Sequence, residues 1–129
     1  METMPDIETR KDIEILVDAF YKKVITDERI GDFFTKVVKL DWNLHIPIMY
    51  DFWESMLLKH TVYNGNPMIK HIDLNRKKAL KPEHFECWFA LWEETVNEHF
   101  HGEKAGEAIS KARQIGGLMM VKIRQAARN

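Results

Sequence analysis

Two adjoining stretches carry the side chains best suited to chemistry. Phe52-Trp53-Glu54-Ser55-Met56-Leu57-Leu58 is aromatic and methionine-bearing, and Tyr63-Asn64-Gly65-Asn66-Pro67-Met68-Ile69-Lys70-His71 then turns through Gly65 and Pro67 to deliver one histidine. An apolar helix that runs into a Gly/Pro turn presents a single imidazole to a large flat apolar group. An open-sided imidazole in an apolar pocket is the minimal requirement for holding a haem iron. The same residues also spell a core helix, a loop and an exposed histidine, and this segment alone does not choose between the two.

The other histidines carry weaker signals. His99 and His101 are two apart, so a helix points them to different faces and they make a poor chelate. His60 falls at a helix C-terminus, where a cation suits the dipole, and His84 in a first turn reads as surface. His45 stands four residues before Met49 and so shares a face with an apolar neighbour. No His-Glu-x-x-His, paired-carboxylate or Cys/His spacing supports a zinc site. There is no Gly-x-Ser-x-Gly and no glycine-rich phosphate loop, and Cys87, between Glu86 and Trp88, lacks a cationic neighbour in sequence to lower its pKa. The cluster Arg76-Lys77-Lys78 reads as a solvated loop, or as a partner for the carboxylates of an anionic cofactor.

A chain of 129 residues, 45% apolar and 30% charged, suits one soluble domain, taken as residues 1–129. A net charge of −1 gives no reason to expect nucleic acid or an anionic membrane as partner. No apolar run approaches the ~18 residues of a spanning helix, and Met1-Glu2-Thr3-Met4-Pro5-Asp6 is not a signal peptide. One cysteine excludes an internal disulfide and fits a cytoplasmic location. It also excludes a Cys-x-x-Cys-His site, so any haem is expected to be held without thioether links.

Four helical blocks must position these residues. Thr9 and Asp12 predict a capping box ahead of a helix whose face is Ile13, Leu16, Val17, Phe20, Tyr21 and Val24, ending near Thr26-Asp27. A second block opens near Asp41 and runs through Trp42, His45, Met49, Phe52, Trp53 and Met56 to Lys59. Pro47 is expected to kink it or to start it afresh. A third begins at Pro82-Glu83, buries Phe85, Trp88, Phe89, Trp92 and Val96, and is expected to end at Gly102. The last runs from about Glu103 to Ala127, with Ala105, Ala108, Ile109, Ala112, Ile115 and Met119 on its buried face. The fold class expected is all-α. The long segment between the second and third blocks holds His71, and loops of that length are usually functional.

Taken in order, these features resemble the truncated haemoglobins, and within them the third group, over nearly the whole chain. The resemblance is carried by Phe20-Tyr21-Lys22-Lys23-Val24, Ile30-Gly31-Asp32-Phe33-Phe34, Trp42 with His45, the Phe52-Trp53-x-x-Met56-Leu57-Leu58 run, Tyr63-x-Gly65-x-Pro67-x-x-x-His71, and Phe85-x-x-Trp88-x-x-x-Trp92. The paired-glycine turns of the other two groups are missing, since Gly116-Gly117 lies within the last helix. The resemblance implies a two-over-two helical sandwich around one non-covalent haem b. It makes His71 the proximal iron ligand, with Tyr21 and Trp88 on the distal side and His45 at the distal position of its helix, where it gates ligand entry, reaches the ligand through water or points outward. Phe20, Phe34, Met49, Phe52, Trp53, Met68 and Trp92 complete the implied haem contacts.

The function so implied is reversible binding of dioxygen, nitric oxide and carbon monoxide. Two distal donors, the Tyr21 hydroxyl and the Trp88 indole N–H, favour tight holding of a gas that gains negative charge, each contributing about 1.5–3 kcal/mol. Slow release argues against simple oxygen transport and fits oxygen and nitric oxide chemistry with a reductase partner, or peroxidase-like turnover. A haem-based gas sensor acting through a partner and a haem-free helical structural protein are the other readings. If His71 is the axial ligand, His71→Ala loses the normal five-coordinate ferrous spectrum. An unaltered spectrum would move the ligand to another histidine.

Overall fold

The computed structural model describes residues 4–31, 42–59 and 81–128, and four helices lie among them. Helix α1 spans Arg10–Thr26, α2 Trp42–Leu57, α3 Pro82–His99 and α4 Glu103–Arg128. α1 packs on α2 and α3 on α4, with α1 crossing α3 and α2 touching α4, which is a two-over-two arrangement. The segments 32–41 and 60–80, with Asp41, His60, Arg76, Lys77 and Lys78, lie outside the described residues.

α1 starts as its sequence predicts. Thr9 accepts the Asp12 N–H at 3.3 Å, and the Asp12 carboxylate accepts the Thr9 and Glu8 N–H groups at 3.1 and 2.9 Å. Its Ile13, Leu16, Val17, Phe20 and Val24 are all buried, at the spacing that puts them on one stripe. Just beyond, Gly31 is buried so close to the end of α1 that an added Cβ would lie 2.9 Å from the Ile25 carbonyl oxygen.

α2 runs through Pro47 as one helix and does not start afresh there. Pro47 is the sixth helical residue, so its missing N–H removes a single bond to the Asn43 carbonyl, and the remaining ladder carries the helix through. The helix stops where Lys59 takes a left-handed φ of 59°, a conformation that closes helix ends.

α3 is expected to run to Gly102 but ends three residues earlier, at His99. Phe100 is buried in extended conformation, with its N–H on the Val96 carbonyl, and the chain turns there because the Phe100 ring belongs to the core. At the other end, His84 does more than lie on the surface. Its Nδ1 accepts the Lys81 N–H at 3.0 Å while its own N–H reaches the Lys81 carbonyl at 2.9 Å.

Gly102 serves the start of α4 instead. With φ at +145° it lets the backbone pass the Asp6 side chain, which would lie 2.5 Å from an added Cβ. The Asp6 carboxylate accepts the N–H groups of Lys104 and Ala105 at 2.9 and 2.8 Å, and that of Ile7 at 2.8 Å. The Pro5 carbonyl accepts the His101 N–H at 2.9 Å. A residue 98 positions upstream therefore caps α4, satisfying two of its otherwise orphan donors.

The two halves of the first layer are joined by charge. Arg10 donates to Asp51 at 2.8 Å and lies 3.5 Å from the Glu54 carboxylate, which is 6% exposed. Removing Arg10 would leave Glu54 with a lost partner at a buried site.

Burial works against the Asp6 charge, but the hydrogen bonds from Lys104, Ala105 and Ile7 outweigh it and hold the carboxyl below the usual range. Hydrogen bonding from Arg29 holds Asp27 down to about 2. A depressed carboxylate stabilises the fold above its unfolded pKa, near ~4. That stability is lost as pH falls through the folded value. Asp6→Ala is therefore expected to cost about 1–2 kcal/mol at pH 7 and less at pH 3, read as thermal melting at the two pH values. An equal loss at both would contradict the capping role.

Candidate functional site

Tyr21 and His45 meet where α1 crosses α2. The Tyr21 hydroxyl and His45 Nε2 are 3.2 Å apart, with the rings edge to face at 5.4 Å. Either group donates, according to the imidazole tautomer. Burial raises the Tyr21 pKa well above the ordinary phenol value, so the hydroxyl keeps its proton at any physiological pH.

Trp88 joins this corner through Phe20. Phe20 is buried and stands edge to face with Tyr21 at 5.1 Å, Trp88 at 6.1 Å and Trp92 at 5.0 Å. One face of the half-buried Trp88 lies by Gly116, whose absent side chain leaves Cζ3 3.9 Å from where a Cβ would be. Among the described residues no acceptor meets the Trp88 indole N–H.

Trp92 and Trp53 are placed differently. Their rings stack at 4.4 Å and 20°, and both are buried in the core. The Trp92 indole N–H donates to the Ala108 carbonyl of α4 at 3.0 Å. Phe52 stands edge to face with Trp53 at 5.3 Å and is half-buried, as are Met49 and Met56 along the same helix. Phe34, Met68 and His71 lie outside the described residues.

Charged and polar groups around the pair were not singled out from sequence. Asp18, one turn before Tyr21, accepts a hydrogen bond from the Tyr50 hydroxyl, and Arg10 stands 5.7 Å over the Tyr50 ring. A shallow recess of about 240 Å³ beside Tyr21 is lined by Asp18, Tyr21, Lys22, Ile25 and Ile46. No spacing rule pairs residues on two helices, so sequence gave no signal for Tyr50. Among the described residues no cluster of three His, Cys, Asp or Glu side chains is placed to hold a metal ion. Cys87 is buried with its thiol 3.5 Å from Asp27, and that burial raises its pKa.

No family model matches the chain. It is 32% identical over 109 residues to the group 3 truncated hemoglobin ctb of Campylobacter jejuni, spanning 82% of this chain and 84% of that protein. It also superposes on the crystal structure of the group III truncated hemoglobin from Campylobacter jejuni with a TM-score of 0.78 at 30% identity, over 92% of this chain and 94% of the other. The chain belongs to the group III truncated haemoglobins. Its two-over-two helices are those of an all-α globin. In this truncated haemoglobin no helix among the described residues is long and apolar enough to cross a membrane.

The two tryptophans of α3 have different tasks in this globin, and stability separates them. Trp92→Phe removes the indole donor from the Ala108 carbonyl, which keeps its helical partner, and is expected to cost about 0.5–1.5 kcal/mol for that hydrogen bond. Trp88→Phe breaks no hydrogen bond among the described residues and is expected to cost less. Equal losses in thermal melting would contradict the assignment.

Proposed function

We propose that the chain binds one haem b non-covalently and reversibly takes up dioxygen, nitric oxide and carbon monoxide. The observation that carries this reading is the Tyr21–His45 pair at 3.2 Å, set beside large side chains that are packed on the core yet half open. Tyr21, Met49, Phe52, Met56 and Trp88 are all of this kind. Burying such surface is favourable by about 25 cal/mol per Å², and a flat apolar ring fits that need. The haem, when bound, supplies an iron with a site for a diatomic gas.

The protein's own groups do the rest. His71 is the residue proposed to hold the iron, a neutral imidazole whose second ring nitrogen needs an acceptor to fix its tautomer. Tyr21 contributes a hydroxyl whose raised pKa keeps it a donor. The tautomer of His45 then controls where that proton points. With Nδ1 protonated, Tyr21 donates to Nε2; with Nε2 protonated, His45 donates to the phenol oxygen and the phenol proton is released toward another acceptor. Trp88 contributes an N–H that can only donate. Phe20 braces both rings by edge contacts, so neither donor is on a mobile arm.

Two such donors slow the release of a gas that gains negative charge. Tyr21→Phe and Trp88→Phe are each expected to raise the oxygen dissociation rate roughly ten- to a hundred-fold, the equivalent of about 1.5–3 kcal/mol. Stopped-flow displacement of oxygen by carbon monoxide reads these rates. Unchanged rates in both variants would remove the distal roles.

A further inference from the structure

The α1–α2 seam holds more than the Tyr21–His45 contact. The polar contacts across it pair rising numbers on α1 with falling numbers on α2: Arg10 with Asp51 and Glu54, Asp18 with Tyr50, Tyr21 with His45. The helices therefore run antiparallel there, and the Asp18–Tyr50 bond is the next polar contact along the seam from the Tyr21–His45 pair. Asp18 is three residues, about 4.5 Å of helix rise, from Tyr21. Tyr50 is gripped on two sides, its hydroxyl by Asp18 and its ring face by the Arg10 guanidinium at 5.7 Å. Pro47 lies between His45 and Tyr50 and cannot donate to the helix ladder, so the first turn of α2 has one internal restraint fewer. Its placement against α1 then depends more on contacts across the seam.

We infer that Asp18 and Tyr50 form a positioning latch that sets the register of α2 on α1 and so the Tyr21–His45 contact. Asp18 and Tyr50 are positioning residues; neither touches a ligand. The acceptor on Asp18 matters, and its charge does not. The inference rests on the gas-binding reading only for its consequence, since the geometric claim concerns two side-chain pairs present in the chain itself.

The test uses the purified full chain, with its histidine rings labelled with ¹⁵N, under carbon monoxide so that any haem iron is diamagnetic. Tyr50→Phe and Asp18→Ala are expected to shift the ring-nitrogen resonances of His45, and Asp18→Asn, whose amide oxygen still accepts, to restore them. Lys104→Ala, which removes a contact to Glu107 far from the seam, serves as the control for a general loss of stability and is expected to leave them in place. Gas dissociation is expected to change roughly two- to five-fold in Tyr50→Phe and Asp18→Ala, the effect of one exposed hydrogen bond. Unmoved His45 resonances in folded Tyr50→Phe and Asp18→Ala, or an Asp18→Asn shift as large as that of Asp18→Ala, would overturn the latch. A wild-type chain that shows no haem absorption would defeat the gas-binding reading, while the ring-nitrogen comparison would still decide the latch.

Discussion

Everything in this fold meets at the Trp92 indole. It stacks on Trp53 of α2, takes the edge of Phe20 from α1, and donates its N–H to the Ala108 carbonyl of α4. One side chain on α3 thus touches the other three helices, by a stacked ring, an edge contact and a buried hydrogen bond. A ring of this size buries 150–250 Å² on typical values, more than any aliphatic residue offers. The small residues Ala105, Ala108 and Ala112 bring the α4 backbone close enough for the N–H to reach it. A bulkier side chain at Ala108 would push the two helices apart.

That arrangement separates structure from chemistry on neighbouring turns of the same helices. On α3, Trp92 is fully engaged, while Trp88, one turn earlier, keeps its N–H unengaged among the described residues. On α1, Phe20 is buried and the adjacent Tyr21 brings its hydroxyl to His45. On α2, Trp53 is core, and Phe52 beside it stays half open.

Much of this was readable in the sequence wherever the physics is local. The Thr9–Asp12 box, Pro82 at the first turn of α3 and the 3.6-residue stripe of α1 depend on residues a few positions apart, and each is found where its pattern puts it. The family was readable too, because aromatic and histidine positions in order along the chain are a property of sequence. What escaped depends on distant partners. Asp6 caps α4 across 98 residues, so Gly102, which reads locally as the end of one helix, makes room for the cap of the next. Pro47 starts no new helix because one lost bond near a helix start is tolerated when neighbouring helices hold the segment. Tyr50, Asp18 and Arg10 carry no local signal because only the crossing of two helices brings them together.

These residues are proposed to form one face of a haem pocket. Titrating the purified protein with haemin tests it most directly, following the Soret band together with tryptophan fluorescence. A sharp end point at one haemin per chain is predicted, with fluorescence quenched in step because Trp53, Trp88 and Trp92 are all proposed to lie at or close to the haem. A shallow, non-saturating rise in absorbance with fluorescence left unquenched would contradict it.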